Sequence, residues 1–561
     1  MGEIWRLKNP FSLYFPPDLK YVARYLAYRL LKLIYSSGTS NIMKPTINIP
    51  TLSLPVPFDQ NIGNVDSAPQ SLFNFILTRK GNRNLLFTAL LVTILQFVIF
   101  KTFYPFPDFF SDSYSYIYAA YARLDLNIWP IGYSKFLLLF HLITHSSYAL
   151  IFFQYLFLEV SALYFFFSII YLYHPAKQLK IALFVFLFVN PLFLYLSNYV
   201  NSDPLFASLS LLWFTELLWI LYRPKVYHIF VQAILLFLCF TVRNNAYYYP
   251  IISLLVFTIS KQSWKHKLVG ILMPFIFIIP FVIHTRHVAY EMTGRRQFSL
   301  FTGWQLANNA LYMRGHIQVD TNKLPTPETR MLDRMASNYF SLLNPGFDDY
   351  LTGYVANYFI RQPNAPLKHF FFWNYKPKDD YGVIVAWGKA SAVFDDYGSA
   401  LIKSNPIPFF KYFILRNTRN YFLPPLEKLE IYNLGDDKVD PIAQFWFDYN
   451  SNKVTSVSKE LQGKILYLYP LFFMFINIYF IANAIWWLVS KKKKQISIFS
   501  RQSLLIAGGF VLINIAFSIL ATMNVFRYQV VPMIICLAFT LAFTEISGRK
   551  AVTFQTVKEN V

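Results

Sequence analysis

The residues best placed to do chemistry are a few aspartates and arginines at the edges of apolar runs. Asp108 and Asp112 lie in Phe-Pro-Asp-Phe-Phe-Ser-Asp-Ser-Tyr-Ser-Tyr, from Phe106 to Tyr116, just after the first long apolar stretch. A carboxylate partly desolvated at a membrane surface can be tuned into a general base. The competing reading is that an Asp caps a helix beginning near Ser113, since Asp is a favoured cap residue. Asp203 lies in Asn198-Tyr199-Val200-Asn201-Ser202-Asp203-Pro204-Leu205, where Pro204 suits the first turn of a helix that Asp203 would cap. Arg243, in Thr241-Val242-Arg243-Asn244-Asn245-Ala246, has no sequence-adjacent acid, and such a guanidinium suits a phosphate. Arg286, Arg295, Arg296 and Arg527, the last in Phe526-Arg527-Tyr528, fall at similar edges, where snorkelling to the interface is the plainer account.

The elements that position these groups are membrane helices. The 561-residue chain is 55% hydrophobic and only 14% charged, against roughly a quarter charged in an ordinary soluble protein. Runs long enough for a hydrocarbon core of about 30 Å recur along it. They predict helices at Leu85 to Tyr104, Tyr148 to Tyr173, Ile181 to Leu196, Leu205 to Tyr222 and Val226 to Val242. Five more are predicted at Ala246 to Ile259, Leu268 to Ile283, Ile465 to Val489, Leu504 to Leu520 and Val525 to Phe543, several of them short enough to be tilted or only partly spanning. The net charge of +22 is read as topology and not as nucleic-acid binding. Lys177 and Lys180, Arg223 and Lys225, Lys261, Lys265 and Lys267, the run Lys491 to Lys494, and Arg549 with Lys550 all fall on one side when about ten spans are threaded from a cytoplasmic N-terminus. Both termini are then cytoplasmic. Cys239 and Cys536 lie inside apolar runs and read as packing residues.

The expected fold is a polytopic α-helical membrane protein with one extracytoplasmic soluble domain inserted before the last three spans. Residues 1–84 form a cytoplasmic segment without a secretory leader, with an amphipathic helix over Asp18 to Tyr35 that either lies on the membrane surface or packs on the rest of the protein, and a linker from Ser36 to Gln70. Residues 85–288 form a transmembrane module whose first outer loop is 105–147. Residues 289–464 are the soluble domain, with Trp304, Trp373, Trp387 and Trp446 among the material for a core, and either a mixed α/β or a largely helical fold. Residues 465–546 are the C-terminal helices and 547–561 a cytoplasmic tail. The soluble segment lacks an Asn-x-Ser/Thr sequon, which favours a bacterial inner membrane.

Taken together, these features resemble the GT-C superfamily of integral-membrane glycosyltransferases, which includes protein mannosyltransferases and the aminoarabinose transferases that modify lipid A. The likeness rests on Asp112 in the first outer loop, Gly132-Tyr133 leading into the next span, Ser202-Asp203-Pro204 in the second outer loop, and the outer-face residues Arg243 and Arg527-Tyr528. It covers Leu85 to about Ile283 well, the last three spans loosely and the soluble segment not at all. The resemblance implies inverting transfer of a sugar from a polyprenyl-phosphate donor to an extracytoplasmic glycan, lipid or protein, among membrane lipids and with no nucleic acid. Asp112 would be the base. Arg243, with Arg296 or Arg527, would neutralise the departing phosphate, and Asp108 or Asp203 would orient Asp112 or hold a cation. Tyr114, Tyr133 and Lys135 would contact acceptor or sugar. No cofactor is required by this reading, and a divalent cation, Mg or Mn, is left open because no ligand spacing is diagnostic.

Two rivals remain, a multi-span transporter of a lipid or small solute and a non-catalytic envelope-assembly protein. Glu159 and Glu216 lie within spans, where carboxylates are functional candidates, and Gln154 offers Glu159 a neutral partner. A transporter predicts a path lined by Glu159 and Glu216, whereas an enzyme predicts a cavity joining Asp112 and Arg243. The Asp-Asp-Tyr triplets beginning at Asp348, Asp379 and Asp395 read as solvated turns more readily than as calcium ligands.

Overall fold

The computed structural model describes residues 71–343, 357–489, 498–521 and 524–548; the amphipathic stretch Asp18–Tyr35, the linker after it, the Lys491–Lys494 run and the chain beyond 548 fall outside them. Among the described residues helices dominate and no strand forms; two isolated bridges, Asp108 with Tyr199 and Lys438 with Lys453, are the β contacts. We number the helices used below α1 (Lys80–Phe103), α2 (Ser111–Tyr121), α3 (Gly132–His141), α4 (Ser147–Tyr173), α5 (Lys177–Phe188), α6 (Ser202–Tyr222), α7 (Val226–Val242), α8 (Tyr249–Ile259), α9 (Trp264–Thr293), α10 (Thr302–Arg314), α11 (Pro366–Tyr375), α12 (Asp380–Ser404), α13 (Leu415–Phe422), α14 (Tyr469–Val489), α15 (Ile498–Ala521) and α16 (Val530–Gly548).

Seven helices among the described residues are long and apolar enough to cross a membrane: Lys80–Phe103, Ser147–Tyr173, Lys177–Ser197, Ser202–Tyr222, Trp264–Thr293, Leu461–Val489 and Ser500–Ala521. Val226–Val242 and Phe526–Ala542 are apolar but shorter. The span predicted at Ala246 to Ile259 is the 11-residue α8 behind a 3-10 turn over Asn244–Tyr248, and at 1.5 Å per residue it reaches only about 16 Å. It cannot cross alone, and its inward face is held instead by Tyr249, which stacks on Trp213 of α6 at 4.1 Å between ring centroids.

Helix α9 runs unbroken through the boundary predicted at 289 and stops at Gly294, whose φ of 75° is the left-handed conformation that suits glycine at a helix end. Beyond it the described residues form helices and no strand, so the mixed α/β alternative is not seen among them. Two cores result. Trp304, Leu311, Phe359, Phe394 and Tyr397 pack with Leu126 and Ile128 of the first loop and with Val525. From Tyr421 onward the segment returns to the bundle, burying Tyr421, Leu429, Tyr432, Trp446 and Val454 in the core of the long helices. Residues 289–464 therefore serve both cores.

Candidate functional site

Helix ends determine what gathers at one end of the bundle. The N-terminus of α6 carries Ser202 and Asp203, the C-terminus of α7 delivers Arg243, α15 ends at Ala521, and Arg527 lies in the turn just before α16. Helix α2 lies among these ends and carries Asp112 in its first turn. Between them and the 302–404 helices is a cavity of about 860 Å³, lined among others by Asp112, Tyr114, Arg243, Arg361, Lys428 and Arg527.

Neither aspartate is the cap that the plainer reading supposed. The side chain of Asn201 caps α6, accepting from Ser202 N at 2.6 Å. The backbone N–H of Phe110, at the start of α2, is met by Ser113 Oγ at 3.2 Å. Freed from capping, Asp203 is buried between two guanidinium groups: Oδ1 accepts from Arg243 and Oδ2 from Arg527 Nη1 at 2.7 Å. Asp112 Oδ2 accepts from Lys428 Nζ at 2.8 Å. Glu427 completes the array, taking Arg361 on Oε1 and Arg527 Nε on Oε2 at 3.4 Å. Glu427 adopts a φ of 56°, a left-handed conformation uncommon for a residue other than glycine, Asn or Asp.

The charges here set one another. Burial alone would raise the Asp112 carboxyl, but the charges of Lys428, Arg527 and Arg361 and the Lys428 hydrogen bond together outweigh it and hold the group below its ordinary value. Burial drives the Lys428 ammonium well below its ordinary value, against the pull of Asp112. Aromatic faces support the cations: Lys428 Nζ lies 3.5 Å from the centroid of Phe110, and Arg243 and Arg527 each lie 4.6 Å from that of Tyr528.

Other predicted residues stand apart. Asp108 is buried away from the cavity, accepting from Asn433 N at 2.9 Å and Gln462 Nε2 at 3.5 Å, while its backbone bonds to Asn198 and Val200 tie the first outer loop to the second. Burial pushes its carboxyl up to about 8 despite bonds from Tyr199, Asn433 and Gln462. Tyr133 is buried and donates to Gln154 Oε1 at 2.7 Å; the preceding Gly132 is needed because a Cβ there would press on the Thr241 carbonyl of α7. Lys135 pairs with Asp125 at 2.6 Å, and Arg296 lies over Tyr290. None of Asp108, Tyr133, Lys135 or Arg296 lines the cavity. Within the spans, Glu216 is bound by His228 Nδ1 at 2.5 Å and Tyr164 at 2.8 Å. Gln154 bonds to Ser197 O and Tyr199 O, not to Glu159. Neither glutamate lines the cavity. Of the Asp-Asp-Tyr triplets, Asp379 caps α12 by accepting from Gly382 N at 2.6 Å, Asp396 pairs with Arg295, and the triplet at Asp348 is outside the described residues.

Among the described residues no three His, Cys, Asp or Glu side chains converge, and Asp112, Asp203 and Glu427 already face cationic side chains. Sequence reasoning missed Arg361, Glu427 and Lys428. The only local signal for Glu427 and Lys428 is that they form a charged dyad behind Pro424-Pro425-Leu426, and nothing in its spacing points to Asp112 or to Arg361. Comparison with known proteins found no matching family model, no similar curated protein and no similar solved structure.

Proposed function

We propose that this chain is a membrane glycosyltransferase of GT-C type that moves a sugar, with inversion, from a polyprenyl-phosphate donor to an extracytoplasmic acceptor. The observation that carries the reading is the single cavity lined by both Asp112 and Arg243, with Arg361, Lys428 and Arg527 beside them. A leaving phosphate needs fixed positive charge, which acts most strongly where water is excluded. The acceptor hydroxyl gives its proton to Asp112 as its oxygen bonds to the anomeric carbon. The bond from that carbon to the phosphate oxygen breaks, and its electron pair leaves with the polyprenyl phosphate, neutralised by Arg243 and Arg527. A carboxylate held below its ordinary pKa is a weak base, and the arginine cluster adds fixed positive charge where the phosphate leaves.

Charge at the helix ends supports an orientation for this reading. Arg223 and Lys225 lie at the ends of α6 and α7 opposite to Ser202 and Arg243, about 30 Å away over the length of α6. The positive-inside rule assigns the basic end to the cytoplasm, so in this reading the cavity opens outside a bacterial inner membrane. Phe517, Leu520 and Ala521 of α15 give the cavity an apolar side for the lipid. Neither Glu159 nor Glu216, which the transporter reading needs along its path, lines this cavity.

The test is to supply the full chain, in lipid nanodiscs with membrane extract as acceptor, with a panel of radiolabelled polyprenyl-phosphate sugars. Label should leave the lipid for an acceptor, and Arg527→Ala should slow this by about a hundredfold or more. A panel that yields no transfer, together with solute flux across vesicles that depends on Glu159, would replace the enzyme by the transporter.

A further inference from the structure

The four cations considered so far are cross-linked by three carboxylates: Asp203 serves Arg243 and Arg527, Glu427 serves Arg527 and Arg361, and Asp112 serves Lys428. A fifth cation lines the same cavity and differs from them. Lys368, on α11, lies among aromatic rings, its Nζ 4.6 Å from the centroid of Trp387 and 5.7 to 5.8 Å from those of Trp304, Phe371 and Phe372. Among the described residues it has neither an ion pair nor a hydrogen bond. Trp304 stacks behind Trp387 at 3.9 Å and Phe394 meets Trp304 edge-on at 4.6 Å, so Trp304, Trp387 and Phe371 belong to the second core. The indole N–H of Trp387 is also buried without an acceptor.

Rings stabilise an ammonium without neutralising it, and burial pulls Lys368 down to about 8, so the group keeps its proton at neutral pH. A half-buried cation with no counter-charge is costly unless something bound supplies one. Besides Asp112, the acids lining the cavity are Asp380 and Asp440, which are exposed at the starts of helices and form no ion pair with it. The arginine cluster already suits the donor phosphate beside the apolar side of the cavity. Lys368 belongs to a different wall, built by α10, α11 and α12.

We infer that this wall binds the acceptor and that the acceptor is a sugar bearing an anionic substituent, a carboxylate or a phosphate, which ion-pairs with Lys368. The inference rests on the glycosyl-transfer reading for the word acceptor, but the anion site is tested separately. Isothermal titration calorimetry on the full chain in nanodiscs would compare trigalacturonate, maltotriose phosphate and neutral maltotriose. At least one charged probe should bind about tenfold or more tighter than maltotriose, as a charge-assisted contact implies, and which of the two does so separates carboxylate from phosphate. Lys368→Gln should abolish the preference and Lys368→Arg should keep it, the latter also guarding against loss of fold. Equal affinities, no measurable binding of either charged probe, or a preference that survives Lys368→Gln would overturn the site. If the Lys368-dependent preference is present and no label is transferred by the same preparations, the transfer reading fails and the anion site stands. If label is transferred and Lys368→Gln leaves the acceptor KM unchanged, the anion site fails and the transfer reading stands.

Discussion

Lys428 Nζ donates to Asp112 Oδ2 across 2.8 Å, joining residues 316 apart in the chain. Both side chains are largely buried, at 9% and 14% exposure, so each is the other's means of remaining charged away from water. Removing one partner strands the other, which typically costs about 3–5 kcal/mol, whereas replacing both leaves no orphan. Asp112→Asn and Lys428→Met should each lower the unfolding midpoint in detergent, and the double variant should lose less than the sum. A double-mutant cycle tests this: coupling of about 1 kcal/mol or more is expected, and simple additivity would show that the pair is not coupled.

Glu427 positions two guanidinium groups without lining the cavity itself. Glu427→Gln keeps the shape and removes the charge that aims Arg361 and Arg527. The donor KM should rise by about tenfold with a smaller change in kcat, since a charge-assisted contact is worth about one factor of ten. An unchanged donor KM would remove Glu427 from the site.

The wall that carries Lys368 depends on close helix contact. A Cβ at Gly303 of α10 would overlap the backbone carbonyl of Ser391 on α12, so Gly303→Ala must push the helices apart or strain them. Overpacking of this kind costs about 1–3 kcal/mol, whereas Gly81, with open space around it, should accept Ala with no loss. Comparing the two melting temperatures checks this, and equal stabilities would argue against the contact.

Asp108 gives stability a pH dependence. Burial raises its folded-state pKa from 3.8 to about 8, so the folded protein holds a proton that the unfolded chain releases. That contribution is complete below the unfolded value and is lost as pH rises toward 8. The midpoint of thermal unfolding should therefore decline between about pH 4 and pH 8 more steeply in the wild type than in Asp108→Asn. Matching slopes would mean that the surrounding donors keep Asp108 ionised throughout.

The sequence made the long helices legible because a span declares itself locally, through length and lack of charge. It made Asp112, Asp203, Arg243 and Arg527 legible for a related reason: each stands at a helix end, and helix ends at one face of a bundle meet. It did not separate residues that share an edge but not a cavity. Tyr133 follows Gly132 into a tight helix contact, and Asp108 turns inward to tie two loops. Lys428, Glu427, Arg361 and Lys368 were invisible for the opposite reason, since their partners are set by the return of residues 421–454 to the bundle and by the packing of Trp304 on Trp387. No periodicity records such long-range closure. The short α8 misled because apolar composition reports burial in a bundle as readily as passage through lipid.

The most direct test is the rate of label transfer from a polyprenyl-phosphate sugar by Asp112→Asn, measured on the monodisperse fraction in nanodiscs alongside donor binding. A base in contact with the reacting hydroxyl predicts a fall of about 10²–10⁴-fold with donor still bound. Transfer within about threefold of the wild type would contradict the account, because no other cavity-lining acid in it has been given the proton.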